Sequence, residues 1–171
     1  MRTFAPEPGA SATDASDSFE AFYRAQVDVV YRALAVTLGN IDVAREATDE
    51  AMLRTFANWE RVRVFDNPSG WAFRVGLNWA TSRWRRLRRE TPLTEANSPA
   101  SVAEPDPAAT AALTAVDRLG LRQRAVVVCR VLLDLSTAET AAVLGVAEGT
   151  IRSRLARALV QLRSELTGDG R

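Results

Sequence analysis

Apolar residues recur along this chain at steps of three and four and do not alternate at the strand step of two, which predicts an all-helical protein. Phe19, Phe22, Val27, Val30, Leu34 and Leu38 form the first stripe. Asp17 followed by Glu20 has the form of a capping box at its start, and Gly39-Asn40 ends it. A second helix is expected from Asp42 to about Trp59, with Ala44, Ala47, Ala51, Met52, Phe56 and Trp59 inward. After a loop from Arg61 to Asn67, Asn67-Pro68 supplies an N-cap with proline at the first helical position, opening a third helix that runs to about Arg89. Phe73, Leu77, Ala80, Trp84 and Leu87 share its apolar face. Four further helices are expected at Ala111 to Leu119, Arg122 to Leu133, Thr137 to Leu144 and about Glu148 to Leu166.

Breaks in this pattern divide the chain. Residues 1–16 are small and polar, with little to bury, and are expected to be a disordered arm ahead of a domain at 17–89. Residues 90–109 hold Pro92, Pro99, Pro105 and Pro107 with Glu95, Glu104 and Asp106, the composition of an extended acidic linker. A second domain is expected at 110–166, followed by a tail at 167–171. All twelve aromatic residues precede residue 85, so the first domain should have an aromatic core and the second an aliphatic one. The expected architecture is two small helical domains with separate cores.

Charge follows the same divisions. The net charge is only +1, yet residues 61–89 carry eight arginines against the single acid Asp66. Residues 90–117 carry five acids and no base, and residues 118–171 turn basic again, nine to five. Such segregation suits basic surfaces laid on nucleic acid with an acidic connector between them, although solvated helix faces give the same count. The chain has no histidine, its 22 basic residues are all arginine, and Cys129 is its one cysteine. The usual general base, Schiff-base amine and thiolate or imidazole zinc sets are therefore missing, so neither an enzyme, a metal site nor a cofactor is expected. No apolar run approaches the roughly 20 residues that span a bilayer, and no signal peptide opens the chain, so a cytoplasmic protein without membrane insertion is expected.

Two constellations carry candidate chemistry. Ser136-Thr137-Ala138-Glu139 is a capping box ahead of Ala141, Ala142 and Leu144. Gly145 follows as a left-handed stop, and a second helix near Glu148 completes a helix-turn-helix. With Ile151, Leu155, Leu159 and Leu162 inward, Arg152, Ser153, Ala156 and Arg157 share the outer face of that helix. Arginine bonds guanine O6 and N7 in pairs, so these four are candidate base readers, with Thr150 and Arg154 set for phosphates. A helical hairpin with a solvated arginine face has the same spacing. In the first domain, Trp71, Arg74, Asn78, Ser82, Arg85 and Arg89 line one face of the third helix, and Arg61, Arg63, Phe65 and Asn67 precede it. Rings, amides and guanidinium groups in this mixture suit stacking on single-stranded bases beside a charged backbone. The simpler alternative is Trp71 closing the core beside solvated arginines.

Taken together these residues resemble the extracytoplasmic-function sigma factors of the sigma-70 family, over about residues 18–166. The resemblance lies in Phe19-Glu20-Ala21-Phe22-Tyr23, the Gly39-Asn40 stop, Trp71-Ala72-Phe73-Arg74-Val75-Gly76-Leu77-Asn78, and Gly145-Val146-Ala147-Glu148-Gly149-Thr150-Ile151-Arg152-Ser153-Arg154. It implies a factor that binds core RNA polymerase and directs promoter-specific initiation. The helix-turn-helix would read the −35 element, and the loop from Arg61 to Asn67 with Asn78 would hold a base flipped from the −10 element. It further implies that Asp49, Glu50 and Arg54 face the polymerase clamp. The implied partners are the β′ clamp and β flap of polymerase, promoter DNA and an anti-sigma factor. The sequence departs from the family pattern at Val43, Arg45 and Asp49, at Ala147 where a serine or threonine cap is usual, and at Gly120 where proline is common. An alternative with the same C-terminal half is a helix-turn-helix regulator with a helical sensing domain.

Overall fold

A computed structural model of the protein describes residues 12–90 and 106–167. Within them the chain is helical throughout, with α1 Ala12–Leu38, α2 Ile41–Ala57, α3 Trp59–Val62, α4 Pro68–Glu90, α5 Pro107–Asp117, α6 Leu121–Val131, α7 Thr137–Leu144 and α8 Glu148–Thr167. No helix among the described residues is long and apolar enough to cross a membrane.

The helix ends follow local chemistry. Gly39 takes a left-handed φ of 64° and its amide returns to Ala35 O at 2.9 Å, ending α1. Asn40 then caps α2, its Oδ1 accepting from Val43 N at 2.9 Å. Asn67 Oδ1 accepts from Gly70 N at 2.7 Å and from Ser69 Oγ at 2.8 Å, so Asn67-Pro68 opens α4 as expected. Asp106-Pro107 repeats this device, with the aspartate accepting from Ala108 N at 3.1 Å. Consequently α5 begins four residues before the expected Ala111, and Pro107 belongs to a helix start rather than to a linker. At the other end, α1 already runs from Ala12, ahead of the expected boundary at Asp17. The loop expected from Arg61 begins inside the short helix α3. The arm before residue 12 and the acidic stretch at 91–105 lie outside the described residues, as do the side chains of Leu87 and Arg89.

Helices α1, α2 and α4 pack as a bundle. Val30, Leu34, Ala44, Ala47, Met52, Ala72, Phe73 and Ala80 fill its interior. Phe19, Phe22, Phe56 and Trp59 close one end, with ring centroids 4.9–5.5 Å apart for Phe22–Trp59, Phe19–Phe56 and Phe19–Trp59. Trp59 Nε1 donates to Ser18 Oγ at 2.8 Å. Two residues expected inward lie outward instead: Phe56 is 52% exposed and Trp84 45%. Helices α6, α7 and α8 bury Leu119, Val126, Val127, Ala141, Ile151 and Ala158 in two smaller clusters. Here the inward stripe of α8 is Ile151, Leu155, Ala158 and Leu162, while Leu159 is 54% exposed. On α7 the inward residues are Thr140 and Ala141, and Ala142 faces out.

The cores of the two halves are not separate. Val128, Cys129, Leu133 and Leu135 from the second half join the cluster of Val30, Ala33, Leu34 and Phe73, with Val143 and Leu144 of α7 against it. Cys129 is fully enclosed there, and burial pushes its thiol pKa up to about 12. The composition contrast between aromatic and aliphatic halves holds, but helix periodicity reports that a face is buried and not which element covers it.

Candidate nucleic-acid interface

The outer face of α8 is built from its N-terminus. Ser136 Oγ accepts from Glu139 N at 3.1 Å while Glu139 Oε2 accepts from Ser136 N at 2.8 Å, so α7 starts on a complete capping box. Those hydrogen bonds hold the Glu139 carboxyl below its ordinary pKa. Gly145 ends α7 at φ 65°, ψ 39°, and its neighbour Val146 N donates to Ala141 O at 3.1 Å. This turn seats the first turns of α8 on the small core of Val126, Ala141 and Ile151. Arg152, Ser153, Ala156 and Arg157 are all exposed along one side, as the spacing predicts. Arg152 Nη1 reaches Glu148 Oε2 at 3.1 Å, and Arg157 Nε donates to Ser153 O at 3.2 Å. These are surface contacts that a nucleic acid can displace at little cost. Thr150 and Arg154 are half-buried at the edge of the same face.

On α4, Arg74, Asn78, Ser82 and Arg85 are exposed in one line and Trp71 is half-buried at its start. Arg85 Nη2 donates to Ser82 Oγ at 3.3 Å. In the preceding loop Arg61 stacks over the Phe65 ring at 6.0 Å, and Arg63 pairs with Glu60 at 3.1 Å. Phe65 and Asn67 are half-buried. The Asn67 carbonyl oxygen is committed to the start of α4, which leaves its NH2 group for any further contact. Arg74 Nη1 donates to Ala142 O of α7 at 3.2 Å, so the structure brings this end of the stripe to the second half of the chain.

Exposed arginine-bearing faces lie on α4 and on α8, the second helix of a helix-turn-helix, and the chain matches known proteins over most of its length. A family described as Sigma-70, region 4 matches residues 109–162. The RNA polymerase sigma-E factor of Streptomyces coelicolor is 35% identical over 151 residues, spanning 86% of this chain and 85% of the relative. The chain belongs to the extracytoplasmic-function RNA polymerase sigma factors. The sigma factor EcfG of Rhodopseudomonas palustris is 34% identical over 146 residues, spanning 81% of this chain and 80% of the relative. In fold, this sigma factor is similar to RpoE of Bartonella quintana, solved in complex with the anti-sigma factor NepR. The TM-score is 0.76 at 22% identity, over 88% of this chain and 98% of that one.

The sigma factor also has a groove that the sequence pattern did not single out. It encloses about 540 Å³ between α2 and α4 and is lined by Arg54, Asn78, Trp79, Ser82, Arg83 and Arg86. Asn78 and Ser82 were expected to meet DNA and Arg54 polymerase, and here they share one hollow. Trp79, Arg83 and Arg86 were missed, although their steps of four and three mark the neighbouring stripe of α4. Arg83 lies over the Trp79 ring at 5.3 Å and also pairs with Glu46 of α2. On α2, Asp49 and Arg54 are exposed and Glu50 half-buried, with Glu50 Oε1 accepting from Arg54 Nε at 2.6 Å. An i, i+4 pair of this kind holds both side chains on one outward face.

Proposed function

We propose that this sigma factor reads the −35 element of its promoters with α8 and opens the −10 element with α4 and the loop before it. The observation that carries the reading is the exposed Arg152–Arg157 face of α8, free of apolar packing and followed inward by a core stripe that fixes its orientation. Arg152 and Arg157 bond base edges, Ser153 and Ala156 supply close contact between them, and Thr150 and Arg154 hold phosphates. On α4, Trp71 and Phe65 stack on unpaired bases, and Asn78 bonds the Watson–Crick edge of a flipped base. Arg61, Arg63, Arg74, Ser82 and Arg85 follow the backbone, with Asn67 shaping the rim of the pocket. The β′ clamp of polymerase docks on Asp49, Glu50 and Arg54, and the β flap on the second half. The functional units are residues 17–89 and 110–166, joined by an acidic connector that sets their reach. An anti-sigma factor controls access to both; the NepR complex of the similar RpoE supports such a partner.

Permanganate footprinting with core polymerase tests the melting role. Asn78→Ala, Trp71→Ala and Phe65→Ala should leave the closed complex intact and remove reactive thymines from the −10 element. Pre-melted promoter should restore these variants in part, because the unpairing cost has then been removed. Normal melting in all three variants would place the pocket elsewhere.

A further inference from the structure

We propose that the groove between α2 and α4 is a binding site for a free nucleoside di- or triphosphate. Arg54 of α2 and Asn78, Trp79, Ser82, Arg83 and Arg86 of α4 line it. Its volume of about 540 Å³ falls within the roughly 300 to 1,000 Å³ of small-ligand sites. Steps of three and four bring the α4 residues to one side of that helix, with Asn78, Ser82 and Arg86 in one row and Trp79 and Arg83 beside it. Three guanidinium groups from two helices therefore converge on one hollow. Each offers donors and no acceptor, in a planar fork that fits phosphate oxygens in pairs. Carboxylates of α2 orient two of them: Glu50 Oε1 accepts from Arg54 Nε at 2.6 Å, and Glu46 pairs with Arg83. Arg86 has no ion pair or hydrogen bond among the described residues, so its charge is uncompensated.

Trp79 supplies a plane for the base. It packs against the bundle core and carries the Arg83 guanidinium over its ring, 5.3 Å from the centroid. A base can extend this stack, because nucleobases lie flat on aromatic rings and on arginine planes alike. Asn78 and Ser82, both exposed, offer an amide and a hydroxyl to a base edge or a sugar hydroxyl. Clustering separates this site from a track for a DNA strand. Phosphates of a strand follow a line, and the proposed −10 stripe meets them with Arg74 and Arg85 along one face of α4. Arg54, Arg83 and Arg86 instead surround one hollow, which suits adjacent phosphates on a single small molecule. The consequence rests on the proposed roles of Arg54 toward polymerase and of Asn78 and Ser82 toward DNA. A nucleotide in the groove occupies all three, so it competes with promoter opening and couples initiation to nucleotide concentration.

Calorimetric titration of the full chain with ADP and GDP tests the site, with adenosine and inorganic pyrophosphate standing for the two parts of the ligand. Each diphosphate should bind once per chain, more tightly than AMP and more tightly than either part alone. Arg86→Gln should weaken ADP binding about tenfold, the loss of one charge-assisted hydrogen bond. Arg122→Gln removes an equal charge from α6 and should leave ADP binding unchanged. Promoter opening can be followed by permanganate with core polymerase and no substrate nucleotides. Added ADP should lower it severalfold for the wild-type chain, whereas Arg86→Gln should open the promoter normally and resist ADP. Pyrophosphate binding as tight as that of ADP would reduce the groove to a bare anion patch and overturn the proposal. Equal losses for Arg86→Gln and Arg122→Gln, or inhibition by ADP that Arg86→Gln does not relieve, would overturn it too. So would a short single-stranded thymidine oligonucleotide that binds more tightly than ADP and depends on Arg86, since the groove would then belong to the promoter strand. If the wild-type chain opens no promoter with polymerase, the proposed role of α4 fails, and the titration still decides the groove.

Discussion

On the proposed reading, single residues on α8 divide into those that read sequence and those that only hold DNA. Arg152 and Arg157 stand clear of the protein, and Arg154 is half-buried at the margin. Arg152→Ala and Arg157→Ala should each weaken promoter-specific binding by about 1 to 3 kcal/mol, with relaxed preference at one position. Arg154→Ala should weaken binding to all sequences alike, and competition with mutated −35 duplexes distinguishes the two outcomes. Ala147 stands at the cap position of α8, its carbonyl accepting from Thr150 N at 2.9 Å and Ile151 N at 3.2 Å, with no side-chain oxygen to bond the helix amides. Ala147→Ser should supply that cap and stabilise the second half by about 1 kcal/mol, read as a higher denaturation midpoint. The exposure of the outer positions was legible in the sequence because α8 is amphipathic and its outer residues are those the core does not claim. Leu159 and Ala158 show where that logic slips. A hydropathy pattern favours the larger side chain, yet it is Ala158 that packs against Leu119 and Val127.

Several element ends with a chemical signature were found, although the Asp17 and Glu20 pair lies inside α1 and not at its start. Gly39-Asn40, Asn67-Pro68, Ser136 with Glu139, and Gly145 each mark an observed boundary. The missed start of α5 obeys the same grammar, since Asp106-Pro107 repeats Asn67-Pro68, but its place among prolines and acids gave it the look of a linker. The capping box of α7 makes a pH prediction. Glu139 has a lowered pKa because Ser136 hydrogen-bonds its ionised carboxylate. A group whose pKa is lower folded than unfolded stabilises the fold above its unfolded value, and that contribution disappears as pH falls through the lowered one. Ser136→Ala should cost about 1 kcal/mol at neutral pH. The gap between variant and wild type should narrow as pH falls through the lowered Glu139 pKa, as urea denaturation at neutral and at acidic pH would show, because the partner carboxylate is then protonated in both.

For the whole molecule, the packing of the two halves was beyond reach of periodicity. Val128, Cys129, Leu133 and Leu135 read as the interior of their own helical hairpin, and the structure gives them to α1 as well. On the proposed reading, the connector between α4 and α5 sets how far the halves can part. Its roughly 16 residues span at most about 50 Å when extended, enough for promoter elements about two helical turns apart. Deleting about eight of them should abolish initiation at promoters of ordinary spacing while polymerase binding persists, as gel shift and run-off transcription on one template would show. The central claim is that this chain alone gives polymerase its choice of promoter through α4 and α8. The most direct test is to map transcript starts made by purified core polymerase on genomic DNA with and without the chain. The account predicts new starts at a shared two-element sequence that disappear with Arg157→Ala and with Asn78→Ala. Starts identical to those of core polymerase alone, or starts unaffected by both substitutions, would contradict it.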